Sequence, residues 1–96
     1  MEESIIYQVI FKSIEQLNQD LDDAEKININ KDTYLIGSNS KIDSMGFAIL
    51  ISSIETNLLN DLKLEIDLLD LSSKRDDFFN IFETPRNIVH FLKTIT

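Results

Sequence analysis

Ser44 is the residue whose type and position most clearly allow chemistry. It follows Asp43 in the stretch KIDSMGFAIL, where a polar loop gives way to an apolar run. A hydroxyl in the first turn of a helix lies near unpaired backbone N–H groups and the positive end of the helix dipole, which favour a phosphate. The position therefore suits a phosphodiester. It equally suits an ordinary helix N-cap, the commoner use of such a serine, and Asp43 could cap one residue earlier.

The other polar residues predict no catalytic or metal site. The chain has one His and no Cys, so a zinc site or a histidine-based triad has little support, and we expect His90 on the surface. Asn28, Asn30 and Asp32 alternate as in a calcium loop. That loop needs Gly at the next position, where this chain has Thr33. We therefore predict that the protein is not an enzyme.

The composition predicts one acidic domain over residues 1–96. Hydrophobic residues make up 43% of the chain, and two Gly with one Pro favour helices over a turn-rich sheet protein. The net charge of −8 disfavours nucleic-acid binding. The first residues are acidic where a signal peptide is basic, and no apolar run reaches membrane-spanning length. We expect a cytoplasmic protein without membrane insertion.

Apolar residues recur at helical spacing in three segments. They predict helices over residues 3–21, from Ser44 to about Asn60, and from Thr84-Pro85 onward, where Thr caps and Pro takes the first helical position. The three stripes are Ile6, Ile10, Ile14, Leu17 and Leu21; Phe47, Leu50, Ile51, Ile54 and Leu58; and Ile88, Phe91, Leu92 and Ile95.

The remaining segments predict connections and one short helix. Residues 22–43 form a long polar loop, and residues 78–82 form a short helix or turn. Apolar and polar residues alternate over residues 61–71 as in a β-strand. No other segment shows a strand pattern that could pair with it, so we interpret these residues as an extended connection. The predicted fold is all-α, a small bundle of three to four helices with a long first loop and a short third helix. We expect apolar residues to anchor the long loop at four positions, Ile27, Ile29, Tyr34 and Leu35.

The neighbourhood of Ser44 resembles the acyl carrier protein family. That family has Asp-Ser-Leu or Asp-Ser-Met at the start of its second helix, and Asp43-Ser44-Met45 matches. Residues 62–66, LKLEI, are similar to the apolar-x-apolar-Glu-apolar segment that follows this helix in the family, and Glu55 matches the Glu near its end. The resemblance covers residues 35–95, and the first helix by its pattern. It implies a bundle of acyl-carrier type and a phosphopantetheine esterified to Ser44, with Asp43 as its motif neighbour.

The resemblance also implies partners and a carried group. A phosphopantetheinyl transferase would load Ser44, and acyl-loading and acyl-transfer enzymes would use the monomeric carrier. Gly46 and Ile49 stand where fatty-acid carriers tend to have acids, which suggests a specialised lipid, polyketide or related pathway. We expect partners to contact Met45, Ile49 and Glu55, and the acyl chain to be sheltered by Phe47, Leu50 and Ile54.

Two alternatives remain open. Met45 and Ile49 lie on the polar side of the second helix, and such apolar residues near Ser44 suggest a contact surface. The protein could therefore be a helical interaction module in which Ser44 is only a cap. It could also be a degenerate carrier that keeps the fold without modification.

Overall fold

Five α-helices and one 3₁₀ turn form within residues 2–96, the part of the chain that the computed structural model describes. This part contains no strand, so the all-α prediction is confirmed. None of its helices combines the length and apolar character that a membrane crossing requires. The elements are α1 (Glu3–Asn18), the 3₁₀ turn (Asp23–Glu25), α2 (Ser44–Leu62), α3 (Leu68–Ser73), α4 (Phe78–Ile81) and α5 (Pro85–Ile95).

The core lies where α1 packs against α2 and α5. The predicted stripes of the three long helices supply most of it. Ile95 is an exception, because it lies in the last turn of α5 and is 40% exposed, while Val89 is buried in its place. The fully buried side chains include Ile10, Ile14, Leu50, Ile54, Leu58, Ile88 and Leu92.

α1 ends three residues before its predicted end at Leu21. The Asn18 side chain accepts a hydrogen bond from the backbone N–H of Ile27 at 2.7 Å and donates one to the carbonyl of Ile27 at 2.9 Å. These two bonds turn the chain away from the helix axis. Leu21 then packs half-buried outside the helix.

Residues 61–71 were predicted as one extended connection, and this is wrong at both ends. Asp61 and Leu62 belong to α2, and Lys63 is its left-handed C-cap with a φ of +58°. Residues 64–67 form no helix, and Leu68–Ser73 form α3. Asp67 caps this helix by accepting from the backbone N–H of Asp70, and Glu55 Oε2 accepts from that of Leu68 at 2.7 Å. Because these two carboxylates satisfy donors of the first turn, a six-residue helix is stable there.

The loop between α1 and α2 is held to the other end of the chain. Of the four predicted apolar anchors, Ile27 and Leu35 are buried, while Ile29 and Tyr34 are exposed. The backbone N–H of Leu35 donates to a carbonyl just before α5 at 2.8 Å. The Arg86 guanidinium donates two hydrogen bonds to the Asp32 carboxylate, which lowers the pKa of Asp32. Backbone and side-chain hydrogen bonds therefore attach the long loop to the chain around the start of α5.

A buried polar contact joins α1 to α2. Asn57 Nδ2 donates to Ser13 Oγ at 2.9 Å and to Gln16 Oε1 at 3.0 Å. Ser13 Oγ in turn donates to the carbonyl of Val9 at 2.8 Å. Ser13 is fully buried and Asn57 is 5% exposed, so the bonds of Ser13 form away from water, whereas the bond to the exposed Gln16 is only partly buried. They fix the position of one helix along the other.

We expect Asn57→Ala to lower the free energy of unfolding by about 1–3 kcal/mol, because it removes a buried donor and leaves the Ser13 hydroxyl short of a partner. Urea unfolding followed by circular dichroism measures this loss. Asn60→Ala is the matched control, since Asn60 is an exposed asparagine of the same helix. Equal losses in the two variants would show that the contact contributes nothing specific.

Candidate functional site

Ser44 occupies the first residue of α2, and Asp43 is the N-cap. Asp43 Oδ1 accepts a hydrogen bond from the backbone N–H of Gly46 at 2.7 Å. Of the two capping alternatives, the structure thus selects Asp43, and the interpretation of Ser44 as the cap is wrong. Ser44 is exposed, as are Asp43 and Met45 on either side of it. Its hydroxyl is not needed to begin the helix.

Gly46 fits closely beneath this cap. A Cβ atom at Gly46 would lie 3.1 Å from Asp43 Oδ1 and 3.1 Å from Ile42 Cγ2. Contacts this short require the neighbours to give way. Gly46 therefore leaves the Asp43 carboxylate free to reach the backbone of the first turn.

We expect Asp43→Ala to cost about 1 kcal/mol of stability, as the loss of an N-cap usually does. Asp43→Asn should stay close to the wild-type protein, because an amide oxygen can accept the same bond from Gly46. Thermal unfolding of both variants tests this pair. If the two variants lose the same stability, the hydrogen bond to Gly46 is not what stabilises α2.

A pocket of about 190 Å³ lies beside Ser44, and we call it the Ser44 pocket. Phe47 forms one wall and packs edge-on against Phe82, with 5.6 Å between ring centroids, and Phe82 packs against Phe78 at 5.2 Å. This aromatic cluster joins α2 to α4. The pocket is lined by Ile36, Gly37, Ile42, Asp43, Ser44 and Phe47.

Gly37 lets α4 approach this pocket. Its φ is +94°, a conformation that favours glycine. A Cβ atom there would lie only 2.8 Å from Cζ of Phe79, so the ring occupies the space that a side chain would need. The ring of Phe79 in α4 therefore packs directly on the backbone of Gly37 at the edge of the Ser44 pocket.

The three residues predicted to shelter an acyl chain lie at different depths. Phe47 is half-buried and lines the Ser44 pocket. Leu50 and Ile54 are fully buried in the core. The structure thus brings Phe47 next to Ser44 and places the other two behind it, out of contact with the open surface.

The three residues predicted to bind partners also differ. Met45 is 73% exposed and Ile49, one turn later, is 49% exposed. Glu55 is half-buried, and its carboxylate accepts the bond from Leu68 that helps to begin α3. The other charged residue of α2, Asp61, is paired with Lys12 at 2.9 Å. Past Asp43, the exposed residues nearest Ser44 on α2 are therefore apolar, and both carboxylates of α2 are paired, Glu55 half-buried and Asp61 at the surface.

A second pocket near Ser44 was not predicted. It has a volume of about 430 Å³ and lies on the α1 side of Asp43. Ile42 and Asp43 line it as well as the Ser44 pocket. The one residue of this pocket that stands out in the sequence is Ile42, an apolar residue between Lys41 and Asp43. That residue cannot reveal a pocket whose other walls come from distant residues.

The remaining polar residues form no competing centre in the part of the chain described. His90 is exposed, as predicted. Residues 2–96 bring together no group of three or more His, Asp or Glu side chains that could hold a metal ion.

Comparisons with protein-family models, with curated proteins and with solved structures found no match to this chain. The candidate site is therefore defined by the geometry around Ser44 and by the resemblance of its motif.

Proposed function

We propose that the protein is an acyl carrier in which Ser44 holds a phosphopantetheine arm through a phosphodiester. One observation carries the proposal: Asp43 caps α2, which leaves the exposed Ser44 hydroxyl available in the first helical turn. The Ser44 oxygen would bond to the phosphorus of coenzyme A that carries pantetheine, and adenosine bisphosphate would leave. When bound, the arm supplies a thiol, a group that this cysteine-free chain lacks.

The surroundings of Ser44 suit a phosphate despite the net charge of −8. α2 has nineteen residues, and its backbone N–H groups and dipole give the first turn a partial positive charge. The carboxylate of Asp43 is already bonded to the N–H of Gly46. The phosphodiester would lie at the surface, where water solvates its charge.

The surface next to Ser44 supports enzyme partners that dock on apolar residues. Met45 and Ile49 are exposed one turn apart, and α2 presents no free carboxylate beside them. The partners are a phosphopantetheinyl transferase and enzymes that load and remove acyl groups. We place this monomeric carrier in the cytoplasm, in a specialised lipid, polyketide or related pathway.

Intact mass spectrometry tests the modification directly. The purified protein is incubated with coenzyme A, Mg²⁺ and a broad-specificity phosphopantetheinyl transferase. We expect a mass gain equal to one phosphopantetheine. No gain with several transferases, under conditions in which a known carrier is loaded completely, would overturn the proposal.

A helical interaction module is the second candidate, and the 73% exposure of Met45 favours it. In that case Ser44 would stay unmodified, and Met45 and Ile49 would bind a protein partner by themselves. The mass measurement separates the two candidates, because only the carrier gains mass.

A further inference from the structure

The pocket on the α1 side of Asp43, which we call the α1–α2 pocket, is lined mainly by apolar side chains. It lies between the end of α1, the 3₁₀ turn and the start of α2, and its volume of about 430 Å³ is within the range of small-molecule sites. Most of its walls are apolar side chains. Leu17, Leu21, Ile27 and Ile42 provide them.

The rim of this pocket carries charges of both signs. Lys41 lies on it together with Glu25 and Asp43. Charges of both signs give no net preference for an anionic or a cationic ligand, whereas the apolar walls suit an uncharged chain. The absence of a side chain at Gly46 keeps the α2 side of the pocket open. The chemistry of the pocket therefore favours an uncharged hydrocarbon chain.

The position of the pocket connects it to Ser44. Ile42 and Asp43 form a ridge with the Ser44 pocket on one side and the α1–α2 pocket on the other. The Ser44 pocket holds only about 190 Å³, and Phe47, packed against Phe82, closes its inner side. An apolar group tethered to Ser44 thus finds more than twice the volume across the ridge.

We propose that an unbranched acyl chain carried from Ser44 lies in the α1–α2 pocket, between Leu21 and Gly46, and not in the core around Leu50 and Ile54. This location rests on the proposed function. Its driving force is the removal of the chain's apolar surface from water. Leu50 and Ile54 are already fully buried, so a chain among them would have to displace packed core.

A chemical tether tests the location without any enzyme. The chain has no cysteine, so Ser44→Cys creates one unique thiol. This thiol is alkylated with a maleimide that carries a decyl chain on a pantetheine-length spacer, and the reference sample carries the spacer alone. We expect the decyl group to shift the backbone amide NMR signals of Leu21, Ala24, Ile27 and Gly46 more than those elsewhere.

Blocking the pocket provides the control. Ala24 is an exposed residue that lines the pocket, and Ala24→Trp should remove the decyl-dependent shifts. Ala48→Trp, at an exposed alanine of α2 that does not line the pocket, should leave them unchanged.

Three results would overturn this location: no decyl-dependent shifts, shifts centred on Ile36 and Phe47, or pocket shifts that survive Ala24→Trp. None of them bears on whether Ser44 accepts phosphopantetheine, which the mass measurement decides separately. The two proposals can therefore fail independently.

Discussion

Replacing Ser44 with alanine is expected to abolish the gain of phosphopantetheine completely, because no other hydroxyl combines the first turn of α2 with the Asp43 cap. The same variant should unfold within about 0.5 kcal/mol of the wild-type protein, as is usual for exposed residues without special contacts. Intact mass after incubation with coenzyme A and transferase gives the first result. Urea unfolding gives the second.

Ser52→Ala is the matched control, since Ser52 is exposed on the same helix. It should gain mass as fully as the wild-type chain. A Ser44→Ala protein that still gains one phosphopantetheine would place the modification on another residue. A Ser44→Ala protein that unfolds much more easily would show that Ser44 supports the fold.

Phe82→Ala is expected to cause the largest loss of stability, about 3–5 kcal/mol, as is typical when a buried aromatic ring is deleted. The ring is fully buried and contacts both Phe47 and Phe78. Its removal would leave a cavity between α2 and α4 and loosen the inner wall of the Ser44 pocket. Urea unfolding measures the loss in free energy.

Phe79→Ala provides the comparison, because Phe79 lies in α4 and Phe82 is the residue that ends this helix. Phe79 is 53% exposed and touches the loop at Gly37, so its removal should cost only a fraction of the loss in Phe82→Ala. Similar losses would mean that the ring of Phe82 has no special place in the core, and that α4 is held mainly through the loop.

The sequence was sufficient to predict the three long helices and the place of Ser44. Helical periodicity depends on local spacing, and Thr84-Pro85 marks a helix start with its own side chains, so both can be recognised without the fold. The exposure of Met45 and Ile49 followed from the same projection and is confirmed. Each of these features depends only on residues within a single helix, so it can be recognised from local sequence.

The features that were missed depend on residues far apart in the chain. α3 begins where Glu55, thirteen positions earlier, accepts a hydrogen bond from Leu68. The α1–α2 pocket combines the end of α1, the 3₁₀ turn and the start of α2. Asp43 and Ser44 are both good caps, and the choice between them depends on the geometry of the first turn.

The buried bonds of Asn57 limit how the bundle can move. Because hydrogen bonds are directional, α1 cannot slide along α2 without separating Asn57 from Ser13 and Gln16. Shear between these two helices is thus disfavoured. The bonds therefore hold two of the three elements around the α1–α2 pocket at a fixed offset, and the 3₁₀ turn is the third.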